Sequence, residues 1–546
     1  MRAGTVIRDR LARRATRVKG DCHNFALIAP YPEQDRREFC PRPGTGRGMG
    51  QTRFAPVMAA SLSARPRRCP TLFQSGIGSI TGINSFGGLM RRVILPICLM
   101  LGACVPGNYN YNEPASRAAL PQESTLPPMK AFSAPRPVPP QRSNRDIMHD
   151  FLDLSFQMES GRMLQHFSRF EGPITLRVTG EPPITLMADL NRLIHRLRTE
   201  AGIDIRRVGD TDANITIEAV SRDDIRRQLP TAACFVVPNI SRITQYRSAR
   251  NSRSTDWTRI TRREKIAIFV PNDSSPQEVR DCLHEELAQA LGPLNDLYRL
   301  NDSVFNDDNV HAVLTGFDML ILRAYYAPEL RAGMSRREVE ARLPAILTRL
   351  NPGGDQAGPR FYGSTPRAWI DAIQTALGPG ARPAQRREAA ADALRIAQAV
   401  GWADHRRAFS HFALGRLTQA SDPDFAQDQF AAADQFYQRT PGTELHRAYT
   451  AAQLASYAIA QGRGEDALML VGPHLGTAER FENAALLATL QMLRAEALEL
   501  NGRVAEARSV RLDSLGWARY GYGADWAVRA KLREVGALSP LKGPNG

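Results

Sequence analysis

Several common kinds of chemistry find no support in these 546 residues. There is no Walker loop, no dinucleotide fingerprint and no convincing Ser-His-Asp arrangement. Nucleotide-driven and serine-hydrolase chemistry therefore have nothing to rest on. No apolar run approaches the roughly 20 residues that a membrane-spanning helix needs; the run Val93–Leu101 is about half that length. Cysteine is scarce, with seven in all and only Cys104, Cys234 and Cys282 from Cys104 onward. The formal net charge of +15 invites a nucleic-acid reading, but the charge is misplaced for it. Met1–Leu89 carries fifteen Lys or Arg against five Asp or Glu, so about +10 of the total lies there. From Cys104 onward only about +3 remains, and no nucleic-acid partner is expected.

Residues 1–89 are rich in Arg, Gly and Pro and show no sustained helix or strand period. They read either as a non-native upstream extension or as a disordered basic tail. An export signal directly after them favours the first, because a signal buried behind 89 residues would be hard to recognise. That signal is compact and spans residues 90–103: Arg91 and Arg92 supply the charge and Val93–Leu101 the apolar core. The segment ends in Leu-Gly-Ala-Cys, which resembles the bacterial lipobox. The resemblance implies lipidation of Cys104 and a chain anchored in the cell envelope. Val105 stands where an Asp would signal retention, so the expectation is an outer-membrane lipoprotein facing the periplasm. In that oxidising compartment the two remaining cysteines, Cys234 and Cys282, form an even pair and are expected to be disulfide-bonded.

Residues 104–145 are a Pro-rich linker, expected to be extended and semi-rigid. Residues 146–350 read as a domain of mixed elements. A helical pattern at Asp146–Glu159 precedes the alternating strand Ile174–Gly180, then a helix over Leu186–Gly202 striped by Leu190, Leu193, Ile194 and Leu197. Strands follow at Ile203–Val208, Asn214–Val220 and Lys265–Pro271, with an edge strand at Cys234–Pro238 and a polar, Arg-rich loop before the last. Ser275-Pro276-Gln277-Glu278 then marks a helix start: Ser as N-cap, Pro at the first position and Glu poised to complete a capping box. That helix runs to Leu291 and stops at Gly292. Further helices are expected over Asn309–Tyr326 and Ser335–Leu350, and Asp318 within the first of them reads as a satisfied buried carboxylate.

The chemistry-bearing stretch is Cys282–Asp296, CLHEELAQALGPLND. Read from His284, it begins like H-E-x-x-H, but Ala288 occupies the second ligand position and cannot coordinate. Read from Glu285, the spacing of a long zinc-peptidase motif survives with every nitrogen ligand replaced by oxygen. Glu285 and Gln289 take the ligand positions one turn apart, Glu286 the general-base position, Gly292 the turn and Asn295 the third ligand position. This pattern and the strand–helix order resemble a zincin-like domain. More narrowly, Glu285, Glu286, Gln289, Leu291, Gly292, Asn295, Asp296, Phe305, Asn306 and Asp307 resemble the signature of the domain-of-unknown-function family 2927. The resemblance covers roughly residues 146–330 and implies a peptidase ancestry. It carries no established activity.

Oxygen donors suit harder divalent ions better than zinc. The candidate metal set is Glu285, Gln289, Asn295 and Asp296, with Asp307 or Asp308 beside them, and it either holds one divalent ion or is a polar network without metal. His284 lies about 100° around the helix from Glu285, and nitrogen ligation would need the fold to bring it to His311.

Residues 351–384 read as linker and junction, and residues 385–546 as an all-helical domain with short Gly, Pro and Asp breaks. Ala413, Ala426, Ala433 and Ala495 sit where helices would pack closely. Two hairpins repeat one phrase, AIAQGRGEDALMLV and LELNGRVAEARSVR, and resemble degenerate tetratricopeptide repeats. That resemblance implies a docking face for an envelope protein or peptide. The fold class expected is thus an α+β zincin-like domain followed by an all-α tetratricopeptide-like domain. The function expected is a degenerate, pseudo-peptidase module joined to a binding domain. An active metallopeptidase using Glu286 as general base and a purely structural scaffold are the alternatives.

The anchor is directly testable. Metabolic labelling with a fatty-acid probe is expected to mark the chain and to be lost in Cys104→Ser; a label that persists in the variant refutes lipidation at Cys104.

Overall fold

The computed structural model describes residues 124–133, 138–209, 211–360 and 362–542. The expected signal, lipobox and basic segment lie outside these residues. Among the described residues no helix is long and apolar enough to cross a membrane.

The first helix, α1 (Asn144–Phe156), is capped by Ser143, whose side chain accepts from Asp146 N. A five-stranded sheet follows, built from β1 (Ile174–Gly180), β2 (Ile205–Arg207), β3 (Ile215–Val220), β4 (Phe235–Pro238) and β5 (Ile266–Pro271), with α2 (Leu186–Thr199) between β1 and β2. Its spatial order is β2-β1-β3-β5-β4. The pairs β1–β2, β1–β3 and β3–β5 are parallel, and only the edge strand β4 is antiparallel. The α+β expectation therefore needs adjusting, since most of the sheet is parallel and wound through crossovers. Two short helices, α3 (Arg222–Gln228) and α4 (Ile243–Ala249), flank β4. The second lies in the segment expected as a polar loop.

Strand β5 shows why the sheet is covered on both faces. All six of its residues are buried. Ile266, Ile268 and Val270 enter the main core, whereas Ala267 and Phe269 pack with Ile225, Phe235, Val237, Ile240 and Ile243 on the other side. The main core is closed by α5 (Pro276–Leu291), the helix carrying the motif. Ser275 caps it as expected, accepting from Glu278 N at 3.2 Å. Glu278 does not turn back to complete a box; its carboxylate takes the Arg222 guanidinium at 2.7 Å. Cys282 on α5 is bonded to Cys234 beside β4, with their Cα atoms 6.0 Å apart.

After α5 comes an irregular segment, then α6 (Gly316–Tyr325) and α7 (Arg336–Leu350). α6 starts later than the apolar pattern suggests because Thr315 and Asp318 form a capping box at its entrance. Asp318 is fully buried and accepts from Ser303, Val304 N, Thr315 N and the Thr315 hydroxyl, which accounts for a carboxylate in an apolar helix. Within the 351–384 junction lies a helix, α8 (Arg367–Leu377), which buries Trp369, whose indole N–H donates to Ser410.

The helical region continues with α9 (Pro383–Ala399), α10 (His405–Thr418), α11 (Pro423–Arg439), α12 (Glu444–Ala460), α13 (Gly464–Val471), α14 (Leu475–Arg480), α15 (Ala484–Leu500), α16 (Val504–Tyr522) and α17 (Asp525–Gly536). The repeated phrase makes one turn twice. Gly462 and Gly502 both have φ near +75°. Arg463 N bonds Ala458 O and Gly462 N bonds Ile459 O; Arg503 N bonds Leu498 O and Gly502 N bonds Glu499 O. Both are Schellman stops, in which a left-handed glycine satisfies the last helix carbonyls.

The helical region and the sheet region form a single packed body, not two domains joined by a linker. Gln277 on α5 bonds Asn483 and Ala485 N, His405 bonds the Tyr298 carbonyl, and Tyr520 bonds Asp189. Residues 124–133, expected as part of a free linker, lie against α16 and α17.

The disulfide closes a loop of 48 residues in sequence. Chain-entropy arithmetic puts its worth at about 4 kcal/mol. Cys282→Ser is expected to lower the denaturation free energy by that order in urea melts of the oxidised protein; an unchanged midpoint contradicts the role.

Candidate carboxyl site

The site forms where the end of α1 meets α5. Beyond α1, Gln157 and Met163 pair as a short antiparallel bridge around a tight turn, Met158-Glu159-Ser160-Gly161. Gly161 N donates to Met158 O at 2.8 Å, and Gly161 takes the φ of +80° that closes such a turn. The turn is on the surface and Glu159 is exposed as a residue, yet its carboxyl points inward, in hydrogen-bonding reach of Asp296 and Gln289.

The segment after α5 is stitched to the same end of α1. Leu294 N bonds Leu154 O at 3.1 Å, and the Asn295 amide donates to Asp153 O at 3.0 Å. Arg299 bonds Asp150 and Asp153, each at 2.8 Å. The chain then loops back on itself, with Leu297 N on Phe305 O and the Asn306 amide on Leu300 O. That loop returns Asp307 to the site, where it accepts from the Tyr298 hydroxyl at 2.8 Å and faces Gln374 of α8.

α5 itself is fixed at both ends. At its C-terminus a buried guanidinium, Arg263, donates to Gln289 O at 2.6 Å, to Ala290 O at 2.8 Å and to Gly292 O. These are orphan carbonyls of the last turn, so Arg263 acts as a charged C-cap. It also lies over the Trp257 ring, 5.2 Å from its centroid. Gly292 sits where the Tyr325 ring crosses, and a Cβ there would lie 3.1 Å from that ring.

The result is a group of five carboxyls: Glu159, Glu285, Glu286, Asp296 and Asp307. Burial pushes the Glu285 carboxyl up to about 8, and repulsion from Glu159, Asp307 and Asp281 adds to it. Glu286 is held well above the usual carboxylate range by burial and then by Glu285 and Glu159. Asp296 is raised likewise, by burial first and then by Glu159, Glu285 and Asp307. Burial also raises Glu159 and Asp307; hydrogen bonding from Asp296 and Gln289 opposes the shift in Glu159, and the Tyr298 hydroxyl opposes it in Asp307. Acids this close cannot all ionise, so they share protons.

The expected site residues divide into two groups. Glu285, Glu286, Gln289, Asp296 and Asp307 come together. Asn295 lies next to them in sequence, but its amide is engaged on α1. Asp308 turns the other way, accepting from Asn306 and Val310 N and pairing with His446 of α12 at 2.9 Å. His284 faces away: its Nδ1 accepts from Leu314 N at 3.1 Å, and burial among Arg280, Arg196 and Arg192 keeps it neutral. His311 packs on Phe481 and His446, so the two histidines do not meet to form a nitrogen site. Glu159, Arg263, Tyr298 and Gln374 were not expected from sequence.

A zincin-like site implies a zinc ion, and the donors here do not fit one. They are oxygens only, which suit harder ions than zinc. Asp296 Oδ1 is buried with no hydrogen-bond partner, the one orphaned acceptor of the group. Among the described residues no cluster of three or more His, Cys, Asp or Glu is arranged to hold a metal ion.

Two outcomes are expected. Glu285 binds its proton more tightly in the folded chain than at its unperturbed 4.5. Its contribution to stability is therefore present at low pH and lost as pH rises from about 4.5 through about 8. Across that window Glu285→Gln is expected to remove a falling contribution of about 1.4 kcal/mol per pH unit from the pH dependence of stability; an unaltered slope in pH-dependent urea melts contradicts the shift. Arg263→Met leaves the end carbonyls of α5 buried without a donor and is expected to cost on the order of 3 kcal/mol; a loss under about 0.5 kcal/mol, the surface-substitution range, contradicts the clamp.

A family model described as Protein of unknown function (DUF2927) matches residues 144–345. The matched span runs from the start of α1 into α7 and contains all five carboxyls and Arg263. Comparison with curated proteins and with solved structures finds no match.

Proposed function

We propose that this chain is an envelope lipoprotein in which a zincin-like domain has become a non-catalytic binding module, working with a helical region that docks an envelope protein or peptide. The observation that carries the reading is the Glu159 carboxyl, folded onto Asp296 and Gln289 beside Glu285. Glu285, Gln289 and Asp296 offer only oxygen acceptors at the ligand positions, and the Asn295 amide is engaged on α1. The order of elements supports the zincin-like reading, since the motif helix follows the last strand of the sheet and packs beneath it. The paired Schellman hairpins support a tetratricopeptide-like reading of the helical region. The lipid anchor rests on the Leu-Gly-Ala-Cys104 stretch.

The alternative of an active metallopeptidase needs an ionised Glu286 to take a proton from water. Burial, with Glu285 and Glu159 alongside, raises that carboxyl when no cation is bound, whereas a divalent ion in the site would lower it, so metal binding and cleavage are the properties that separate the readings.

Metal analysis and peptide cleavage decide between the two. The purified chain, titrated with Zn²⁺, Mn²⁺ and Ca²⁺, is expected to hold no stoichiometric ion and to leave a peptide library intact. One tightly held ion that is lost in the Glu285→Ala, Gln289→Ala double variant, together with cleavage that is abolished in Glu286→Gln, would establish the enzyme instead.

A further inference from the structure

Residues 124–133, Ser-Thr-Leu-Pro-Pro-Met-Lys-Ala-Phe-Ser, cross the face of α16 and α17 as an extended strap without helix or strand of their own. Their contacts are those of a bound peptide. Arg519 Nη1 donates to the Pro127 carbonyl at 2.9 Å, and Lys130 N donates to Gly516 O at 3.1 Å. The Lys130 ammonium pairs with Asp513 and lies 5.3 Å from the centroid of the Trp517 ring. Ser124 donates to Asp525, and Arg529 to the Thr125 hydroxyl. Phe132 is the anchor: it stacks on Trp517 with centroids 4.6 Å apart and meets Tyr520 edge-on at 6.3 Å.

Two features mark a built groove. Gly516 lies in the interior of α16, where glycine is the least favourable residue apart from proline. A Cβ there would sit 2.9 Å from Lys130 Cγ and 3.1 Å from the Pro128 carbonyl oxygen, so the bare backbone lets the strap approach. The strap itself is held lightly. Phe132 is buried, whereas Thr125, Pro128, Met129, Ala131 and Ser133 are exposed. Leu126, half-buried against the same core as Phe132, is its second apolar contact, and a segment that buries so few side chains opens below the global unfolding free energy.

We propose that the α16–α17 face is a recognition groove for extended proline-rich segments, filled in cis by the chain's own strap, and that its partner is a segment of another envelope protein with a cation two residues before an aromatic anchor. Charge complementarity defines that chemistry. Asp513 and the Trp517 face take the cation, Arg519 and the Gly516 carbonyl take the backbone, and the Trp517–Tyr520 corner takes the ring. Proline-rich segments are favoured because their preformed extended shape loses little entropy on binding. Phe132 also touches the sheet side of the molecule. Its carbonyl accepts from Arg192 of α2, and its ring lies 5.9 Å from the Arg280 guanidinium of α5. The inference rests on the docking reading above and does not involve the carboxyl site.

The probe is a fluorescein-labelled peptide of residues 124–133, followed by anisotropy against the full chain. Phe132→Ala frees the resident strap, and this variant is expected to bind the peptide at least about tenfold tighter than the wild-type chain does. Adding Gly516→Ala, which favours the helix while filling the cradle, is expected to weaken peptide binding by about tenfold or more. A folded Phe132→Ala chain that binds no peptide, or binds it regardless of Gly516→Ala, overturns the proposal. So does a wild-type chain that sediments as a Phe132-dependent dimer, because the occupant is then the strap of a second copy. The metal and cleavage tests of the carboxyl site read out independently of every variant used here.

Discussion

A carboxylate buried without a cation is so unfavourable that it takes up a proton instead. Five carboxyls meet beside α5; burial raises them first, and their repulsion of one another adds to it. This constraint decides what the site can do. Acids holding protons are hydrogen-bond donors as well as acceptors, and Glu159 lies within reach of Asp296 and Gln289.

Such a network needs a rigid frame, because small displacements would let water in and restore ionisation. The frame comes from contacts distant in sequence. Arg263 caps the C-terminus of α5, Ser275 caps its N-terminus, and Cys282 ties its middle to the segment leading into β4. The loop after α5 is laced to α1 through Asn295, Arg299 and Asp153, and α1 in turn delivers the Glu159 turn. The helical region closes the remaining side through Gln277 and Gln374. The helical region and the carboxyl group therefore share one continuous set of packed elements.

Much of this was legible in sequence wherever the signal was local. The strands follow from alternating β-branched residues, and α5 from Ser275, Pro276 and Gly292, each acting within a turn of its neighbours. The disulfide was expected from the even number of cysteines left after Cys104. Legibility failed where the deciding contact was remote. Asn309–Tyr326 looks helical throughout, yet Asn309 adopts a φ of +54° and the helix waits for the Thr315–Asp318 cap. α4 hides in an Arg-rich stretch because Ile243 is its only buried residue. Glu159 lies more than a hundred residues from the motif it completes, in a turn whose sequence says only that it turns. Asn295 fits the ligand spacing, but the Asp153 carbonyl that engages its amide is visible only in the fold.

The protonation state of the carboxyls themselves tests the account most directly. Carbon-13 NMR of chains labelled at the Glu and Asp carboxyl carbons reads each group separately as pH is varied. The account predicts that Glu285, Glu286 and Asp296 carry protonated-carboxyl shifts at neutral pH, with Glu285 ionising near 8. Three ionised carboxylates at neutral pH would contradict it, because only a bound cation could hold those charges together.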